Sequence, residues 1–171
     1  MDISYDYWQG ESLETVVQSI AEFRMQVLRQ NNEIQTKPLS DQINFLQHYF
    51  DSEATVIVAN DCGFIVGYLG LVTQLDFHPL LSEYSYYGPD LVTTEGPIVH
   101  PDYRGQGIGK SLIMESINHC QTKDIELIIF DPSKIRTSMD HTAITHLATI
   151  FDFFDISQGD ELIYKKEVEP I

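Results

Sequence analysis

A glycine-rich segment between a strand and a helix constrains the fold of this chain more than any other feature. Residues 99–111 read VHPDYRGQGIGKS: an apolar strand ends before Pro101, glycines follow at 105, 107 and 109, and a helical apolar pattern begins at Ile108. Because glycine lacks a Cβ, successive backbone N–H groups can point into one concavity at the positive end of the helix dipole. Such a concavity binds phosphate groups. The segment therefore predicts a strand, a phosphate-binding turn and a helix in succession.

The rest of the chain predicts a mixed α/β or α+β sheet with helices on its faces. Helical spacing predicts one helix capped by Ser12, one capped by Asp41 after the Pro38 break, one from the glycine turn onward and one over 140–151. Strands are expected at 3–8, 54–59, 64–72, 91–99, 125–130, 153–156 and 161–168, with a hairpin turn at 60–63. The order β-α-α-β-β-β-α-β-α-β-β indicates this architecture, and a length of 171 residues predicts one domain over residues 1–171. Residues 76–90 predict a long loop or lid.

The charge of the chain excludes several classes of partner. Its 26 acidic residues and 10 Lys and Arg give a formal net charge of −16. Such a charge repels nucleic acid phosphates and anionic lipid surfaces, so neither is an expected partner. The two cysteines have no zinc-site spacing, the N-terminus has no signal pattern, and the longest uncharged stretch, 62–75, is shorter than a membrane span. We expect a cytoplasmic protein without a metal.

Two known phosphate-binding motifs fit the glycine segment poorly. A Walker A loop, GxxxxGK[ST], would need glycine where Arg104 stands, although residues 109–111 read GKS. This mismatch counts against a nucleotide phosphohydrolase, which would bind ATP with magnesium. The dinucleotide motif GxGxxG would need its third glycine at Lys110, so it is the weaker match.

A third pattern, [Q/R]-x-x-G-x-[G/A] after a strand ending V-x-P, is met by Arg104, Gly107 and Gly109. Here the chain resembles the GNAT superfamily of acetyl-CoA-dependent N-acetyltransferases. Motif-level similarity covers residues 95–111, and the order of elements is similar over nearly the whole chain. The resemblance implies a mixed, mostly antiparallel sheet of about six or seven strands, about four flanking helices, and fourth and fifth strands that splay apart.

The resemblance also implies a binding site for acetyl-CoA. The pantetheine arm would lie between the splayed strands and the pyrophosphate on the amides of residues 105–110. Pro97 cannot donate a backbone hydrogen bond and supports a break in strand pairing. Carried over by position, the residues that would bind acetyl-CoA are Ile98, Val99, Arg104, Gly105, Gln106, Gly107, Ile108, Gly109 and Lys110.

The same resemblance suggests catalytic residues. A lysine-like amine has a pKa of about 10.4, so a base must remove its proton near neutral pH. Glu95 occupies the position where several family members place a carboxylate. The tyrosine that often protonates the departing thiolate is missing, because its position falls at Leu147 or Ala148. Tyr164, Tyr103 or a lid tyrosine could replace it, and we take Glu95 and Tyr164 as the catalytic candidates.

The acceptor is expected to carry positive charge. Residues 104–136 have a net charge of +1, and the rest of the chain carries −17. A lid wall could recognise an ammonium group, or it could pack against the sheet or against a second copy of the chain in a homodimer. Without the tyrosine, a silent module that binds acyl-CoA as ligand or sensor is the alternative to an enzyme acting on a small cationic molecule, amino acid or peptide. The lid wall would comprise Asp76, Phe77, His78, Glu83, Tyr84, Tyr86, Tyr87 and Asp90.

Overall fold

Seven strands of the described chain form one sheet, which carries helices on both faces. The computed structural model describes residues 2–30, 38–50, 54–72, 91–130, 141–155 and 164–169, so the predicted lid at 76–90 lies outside the described residues. The elements are β1 (Ile3–Gln9), α1 (Glu11–Gln30), α2 (Leu39–Tyr49), β2 (Thr55–Asp61), β3 (Phe64–Val72), β4 (Leu91–Val99), a 3₁₀ turn (Pro101–Tyr103), α3 (Ile108–Thr122), β5 (Leu127–Phe130), α4 (His141–Ile150), β6 (Phe154–Asp155) and β7 (Tyr164–Glu167).

The strands are arranged in the order β1-β2-β3-β4-β5-β7-β6. Neighbouring strands are antiparallel except β4 and β5, which are parallel and are joined through α3. A parallel pair needs such a crossover connection, whereas β2 and β3 are joined directly by a hairpin. The prediction of a mixed, mostly antiparallel sheet with about four helices is confirmed.

Alternating side chains of the central strands build two apolar cores. Val56 and Val58 face a core formed with α1, and Ile57 and Ala59 face a second core formed with α3. This alternation follows from the two-residue period of a strand. The sheet is therefore covered on both faces, and the glycine turn at the start of α3 is fixed by the second core.

The two predicted helix caps are wrong. Ser12 lies in the first turn of α1, where its hydroxyl donates to the Gln9 carbonyl at 2.6 Å and accepts from the Gln9 N–H at 3.1 Å. Gly10, with φ +54°, bends the chain between them. Asp41 lies within the first turn of α2, whose N-cap is Pro38 without a side-chain cap. A proline has a fixed φ and no N–H, so a helix can begin directly after it.

The hairpin between β2 and β3 has a shorter turn than the predicted 60–63. Its two turn residues, Cys62 and Gly63, have φ angles of +52° and +85°. Positive φ at both central residues is the geometry of a two-residue turn whose twist matches that of the flanking strands.

A β-bulge disturbs the pairing of β3 with β4. Tyr68 pairs with Ile98, but Gly70 pairs with Glu95, so β4 has one more residue than β3 between these pairs. Gly96, in the bulge, has a φ of +102°, and a Cβ there would lie 2.9 Å from the Tyr68 carbonyl oxygen. The bulge requires glycine for both its backbone conformation and its close approach to β3.

The described pairing of β4 with β5 covers only the first part of β4. It runs from Leu91 opposite Leu127 to Thr94 opposite Phe130, whereas β4 continues to Val99. Residues 131–140, which follow β5, lie outside the described residues, so the splay of the fourth and fifth strands stays a prediction. We call the β5-facing side of residues 95–99 the open edge of β4.

Side chains of β1 and α3 form a polar link across the second core. The Tyr7 hydroxyl donates to Glu115 Oε2 at 2.5 Å, and the Tyr7 ring stacks on His119 with centroids 5.7 Å apart. The His119 Nε2 lies 3.2 Å from Thr55 Oγ1 and 3.3 Å from Gln9 Nε2. Burial, followed by the nearby charge of a lysine, lowers the pKa of His119. The folded protein therefore favours neutral histidine in this link.

Replacing Gly96 with alanine should destabilise the protein by about 2–3 kcal/mol or more, because the backbone strain and the contact with β3 add. Gly63→Ala is the matched control, since Gly63 also has positive φ but no atom within 4 Å of a built Cβ. We expect the control to cost about 1 kcal/mol. Urea unfolding measures both, and equal losses would contradict the steric role of Gly96.

Acidification should lower the free energy of unfolding because His119 binds a proton more readily in the unfolded chain. A histidine with a lowered folded-state pKa binds a proton more readily when unfolded, so its contribution to stability is complete above about pH 6.5 and declines below it. His119→Gln should flatten the dependence of the unfolding free energy on pH below that value. The exposed His146→Gln variant is the control and should keep the wild-type slope. An unchanged slope in His119→Gln would remove this histidine as the cause.

Candidate active site

Two glycines shape the turn between β4 and α3. Gly105 has φ +74°, and Gly107, the N-cap of α3, has φ +84°. A Cβ built on either would meet nothing within 4 Å. The left-handed backbone thus favours glycine here, and the space beside both residues is open to a ligand.

The backbone N–H groups of this turn are directed at no acceptor in the described chain. The first helical hydrogen bond of α3 runs from the Ser111 N–H to the Gly107 carbonyl at 2.9 Å. No described hydrogen bond is donated by the six N–H groups of residues 105–110. Such groups at a helix N-terminus carry partial positive charge and bind anions. They form an anion-binding turn, the name used below for residues 105–110.

Two residues of the anion-binding turn also pack against the rest of the fold. A Cβ on Gly109 would make ordinary contacts with Val99, Pro97 and Leu147 at 3.7–3.9 Å, so this position does not need glycine for space. The Ile108 side chain is buried and faces Gly67 across the second core. Ile108 can therefore offer a ligand only its backbone.

The polar side chains of this region are exposed, and two of them hold backbone carbonyls. Arg104 Nε donates to the Val99 carbonyl at 3.2 Å, and Gln106 Nε2 donates to the Asp102 carbonyl at 3.2 Å. Lys110 is exposed in the first turn of α3. Arg104 thus fixes the end of β4, and its positive charge together with that of Lys110 stands next to the anion-binding turn.

Backbone alternation separates the two predicted contact residues of β4. The His100 N–H donates to the Val66 carbonyl of β3 at 2.9 Å. Residues two apart in an antiparallel strand direct their backbone groups to the same side, so the groups of Ile98 also face β3. Those of Val99 face the open edge, in agreement with the bond from Arg104 to its carbonyl. Of the two residues, Val99 is the one whose backbone groups are not directed at β3.

Thr94 is a candidate that the sequence did not reveal. It is the last residue of β4 paired with β5, it is 2% exposed, and its hydroxyl has no hydrogen-bond partner in the described residues. A buried hydroxyl without a partner is costly, and a ligand in the cleft can supply one. Thr94 stands out only because the described pairing with β5 ends there, and no local sequence pattern encodes the end of that pairing.

The two predicted catalytic residues lie near the end of the described pairing of β4 with β5. Glu95 is the first residue of β4 beyond the pairing with β5. Tyr164 lies on β7 opposite Phe130, the last paired residue of β5. The Tyr164 side chain is 4% exposed, and its hydroxyl lies 3.1 Å from Thr145 Oγ1.

Tyr103, the alternative proton donor, lies elsewhere. Its hydroxyl donates to Asp61 Oδ2 on β2 at 3.1 Å. This hydrogen bond to a carboxylate raises the pKa of Tyr103. The strand β3 separates β2 from β4. Tyr103 therefore belongs to the hairpin side of the sheet and not to the cleft.

The two positions predicted to replace the missing tyrosine pack on different sides of the sheet. A Cβ built on Gly109 would lie 3.9 Å from Leu147 Cδ1, so Leu147 reaches the start of α3, where it packs against the second core. Ala148 is 1% exposed in the core under α1. Of the two, Leu147 is the one beside the anion-binding turn, and it has no proton to donate.

The described ranges hold neither a metal-binding cluster nor a membrane-spanning helix. No group of three or more His, Cys, Asp or Glu in them is arranged to hold a metal ion. None of their helices combines the length and hydropathy of a membrane span.

Comparison with known proteins agrees with this geometry. A profile described as the acetyltransferase (GNAT) family matches residues 18–143. No curated protein sequence matches the chain. A GNAT-family acetyltransferase from Staphylococcus aureus Mu50 is similar in structure, with a TM-score of 0.68 and 18% identity over 98% of this chain and 100% of that one.

Two further solved structures have the same fold. The PaiA N-acetyltransferase from Thermoplasma acidophilum, in complex with coenzyme A, gives a TM-score of 0.63 at 12% identity and covers 98% of this chain and 99% of its own. The ribosomal-protein-S18-alanine N-acetyltransferase from Escherichia coli gives 0.66 at 14% identity, with 98% and 96% covered. At these identities the likeness concerns the fold.

Proposed function

The chain belongs to the acetyltransferase (GNAT) family and is thereby an acetyl-CoA-dependent acyltransferase, and we propose that its acceptor is the primary amine of a small cationic molecule, an amino acid or a peptide. The observation that carries this proposal is the anion-binding turn beside the open edge of β4. The turn presents six N–H groups to an anion, and the edge presents the backbone of Val99 to an extended ligand.

The cleft fits the parts of coenzyme A. The pyrophosphate would accept hydrogen bonds from the anion-binding turn, where Gly105 and Gly107 leave open space. The pantetheine arm would pair with the open edge of β4, and Thr94 would give its unpartnered hydroxyl to the same ligand. The similar structure from Thermoplasma acidophilum holds coenzyme A, which supports this assignment.

Gly107→Asp should abolish coenzyme A binding, because it places a carboxylate beside the pyrophosphate. The matched control is Gly107→Asn, which has nearly the same size and the same backbone strain without the charge. Asn and Asp both tolerate left-handed backbone, so folding should change little in either. Calorimetry should show no binding to Gly107→Asp and measurable binding to Gly107→Asn. Equal affinity in the two variants would contradict the placement of the pyrophosphate.

The catalytic steps are assigned to residues around the splay. Glu95 accepts a proton from the acceptor ammonium, and the neutral amine then attacks the thioester carbonyl, forming a C–N bond. The Val99 N–H stabilises the oxyanion of the tetrahedral intermediate. The nitrogen of the intermediate loses its second proton to water, which gives the neutral amide when the intermediate collapses. Cleavage of the C–S bond releases a thiolate, to which Tyr164 gives its hydroxyl proton; solvent then reprotonates Tyr164 and takes up the proton held by Glu95. Because a thiol has a pKa near 8.5, proton transfer to the thiolate is less demanding than removal of the first proton from the ammonium.

Glu95→Gln should lower kcat by roughly 10²–10⁴ without changing coenzyme A affinity, as expected for loss of a general base. The deficit should narrow as the pH rises toward the pKa of the amine, since more acceptor is then neutral. Tyr164→Phe should give a smaller deficit that does not narrow. Thiol release with a panel of amines at pH 7–9.5 measures both, and the exposed Glu126→Gln serves as control. A pH-independent deficit in Glu95→Gln would remove Glu95 as the base.

The charge of the chain supports a cationic acceptor. A net charge of −16 raises the local concentration of cations at the surface. In the same panel, amines with a second positive charge should have a higher kcat/KM than amines that carry no other charge. This difference in kcat/KM should decrease as the salt concentration rises. If none of the amines in the panel is acetylated, the result would instead favour a silent acyl-CoA-binding module.

Cysteine state supports a cytoplasmic location. Both thiols are free: Cys62 is exposed and Cys120 is buried. Free thiols persist in reducing compartments.

A further inference from the structure

A second cavity lies on the α1 side of the sheet. It has a volume of about 610 Å³ and is bounded by α1, by β1 to β3 and by the residues that follow β4. Trp8, Phe23, Phe64 and Tyr103 supply aromatic walls, and Glu22 supplies a carboxylate. A volume of this size accommodates a small organic molecule.

This cavity is separate from the acyl-carrier cleft. Its strand residues belong to β1, β2 and β3, whereas the open edge of β4 faces β5. His100 and Tyr103 are the lining residues nearest to the anion-binding turn along the chain. The His100 Nε2 lies 3.1 Å from Gln26 Nε2 of α1, and the Tyr103 hydroxyl is bonded to Asp61. Both side chains are thus held by residues outside the anion-binding turn.

The lining favours a cation. None of its described residues is a lysine or an arginine, while Glu22 is exposed and negatively charged. The nearby Arg24 is directed elsewhere, because its Nη1 donates to Tyr68 at 2.7 Å and its guanidinium lies 5.6 Å from the Phe45 ring centroid. Aromatic faces attract ammonium groups, and an aromatic wall also covers the apolar part of an organic cation.

We propose that this cavity binds a small organic cation, an ammonium group on an apolar body, as a second ligand distinct from the acetyl acceptor. The ammonium lies against the aromatic faces with Glu22 as its counter-charge, and the apolar body is covered by Trp8 and Phe64. The proposal is independent of acetyl transfer, because residues 95–99 and 105–110 do not line the cavity.

The chain supplies its own probe for this site. Trp8 is the single tryptophan and lines the cavity, so its fluorescence reports an occupant directly. The titration uses benzylammonium, with benzyl alcohol as the neutral counterpart and benzoate as the anionic one, at constant ionic strength and without acetyl-CoA. We expect a saturable change with benzylammonium and an affinity about tenfold lower for benzyl alcohol, with benzoate weakest. No saturable change, or equal affinities for the three probes, would overturn the proposal.

Paired variants locate the cation. Phe64→Ala and Glu22→Gln should each weaken benzylammonium binding about five- to tenfold. Phe64 is 75% exposed, so its loss should not unfold the protein, and Phe154→Ala, at 61% exposure, is the matched control. Glu14→Gln, also exposed on α1, is the control for charge. Both controls should bind like the wild type, and unaltered coenzyme A affinity checks folding. Unchanged benzylammonium affinity in Phe64→Ala and Glu22→Gln would contradict the site.

One further variant distinguishes binding in this cavity from binding in the acyl-carrier cleft. Gly107→Asp, which blocks the anion-binding turn, should keep the Trp8 response to benzylammonium. Loss of that response would place the cation in the acyl-carrier cleft and would refute a second site, whether or not acetyl transfer itself is observed.

Discussion

Unequal hydrogen bonding on the two sides of β4 is the constraint on which the site depends. On one side the strand pairs with β3 up to Val99, and on the other its pairing with β5 extends, among the described residues, to Thr94. Backbone groups of a folded chain require partners, and in the proposed function a ligand supplies them along the open edge. Gly96 permits the bulged pairing with β3 because only glycine combines its φ with so close an approach to Tyr68. Arg104 binds the Val99 carbonyl, so the end of β4 and the start of the anion-binding turn are held together.

Sequence reasoning located the anion-binding turn because its conformation is local. Positive φ at Gly105 and Gly107 is encoded by the absence of a Cβ at those positions. Helix starts were harder to predict from the sequence. Ser12 and Asp41 have side chains that are typical of N-caps, but Gly10 and Pro38 lie shortly before them. These neighbours constrain the backbone more strongly than a capping hydrogen bond does.

Residues whose roles arise from distant pairing could not be read in the same way. Thr94 is distinguished only by being the last residue that β5 reaches. Tyr103 looked like a candidate acid from its place in the motif, but Asp61, 42 residues earlier, holds its hydroxyl. The choice between Leu147 and Ala148 depends on the rotation of α4, and one residue turns a helical side chain by about 100°. A pattern of spacings does not fix that angle against the rest of the fold.

The polar link between β1 and α3 gives the third helix a further property. α3 has 15 residues and is about 22 Å long. Its C-terminal half is tied to the edge strand through Glu115 and His119, and its N-terminus carries the amides of the anion-binding turn. A helix held in this way fixes the position of the anion-binding turn relative to the sheet. In the proposed binding mode the diphosphate of the acyl carrier therefore keeps its place, and acyl chains of different length are accommodated at the other end of the carrier.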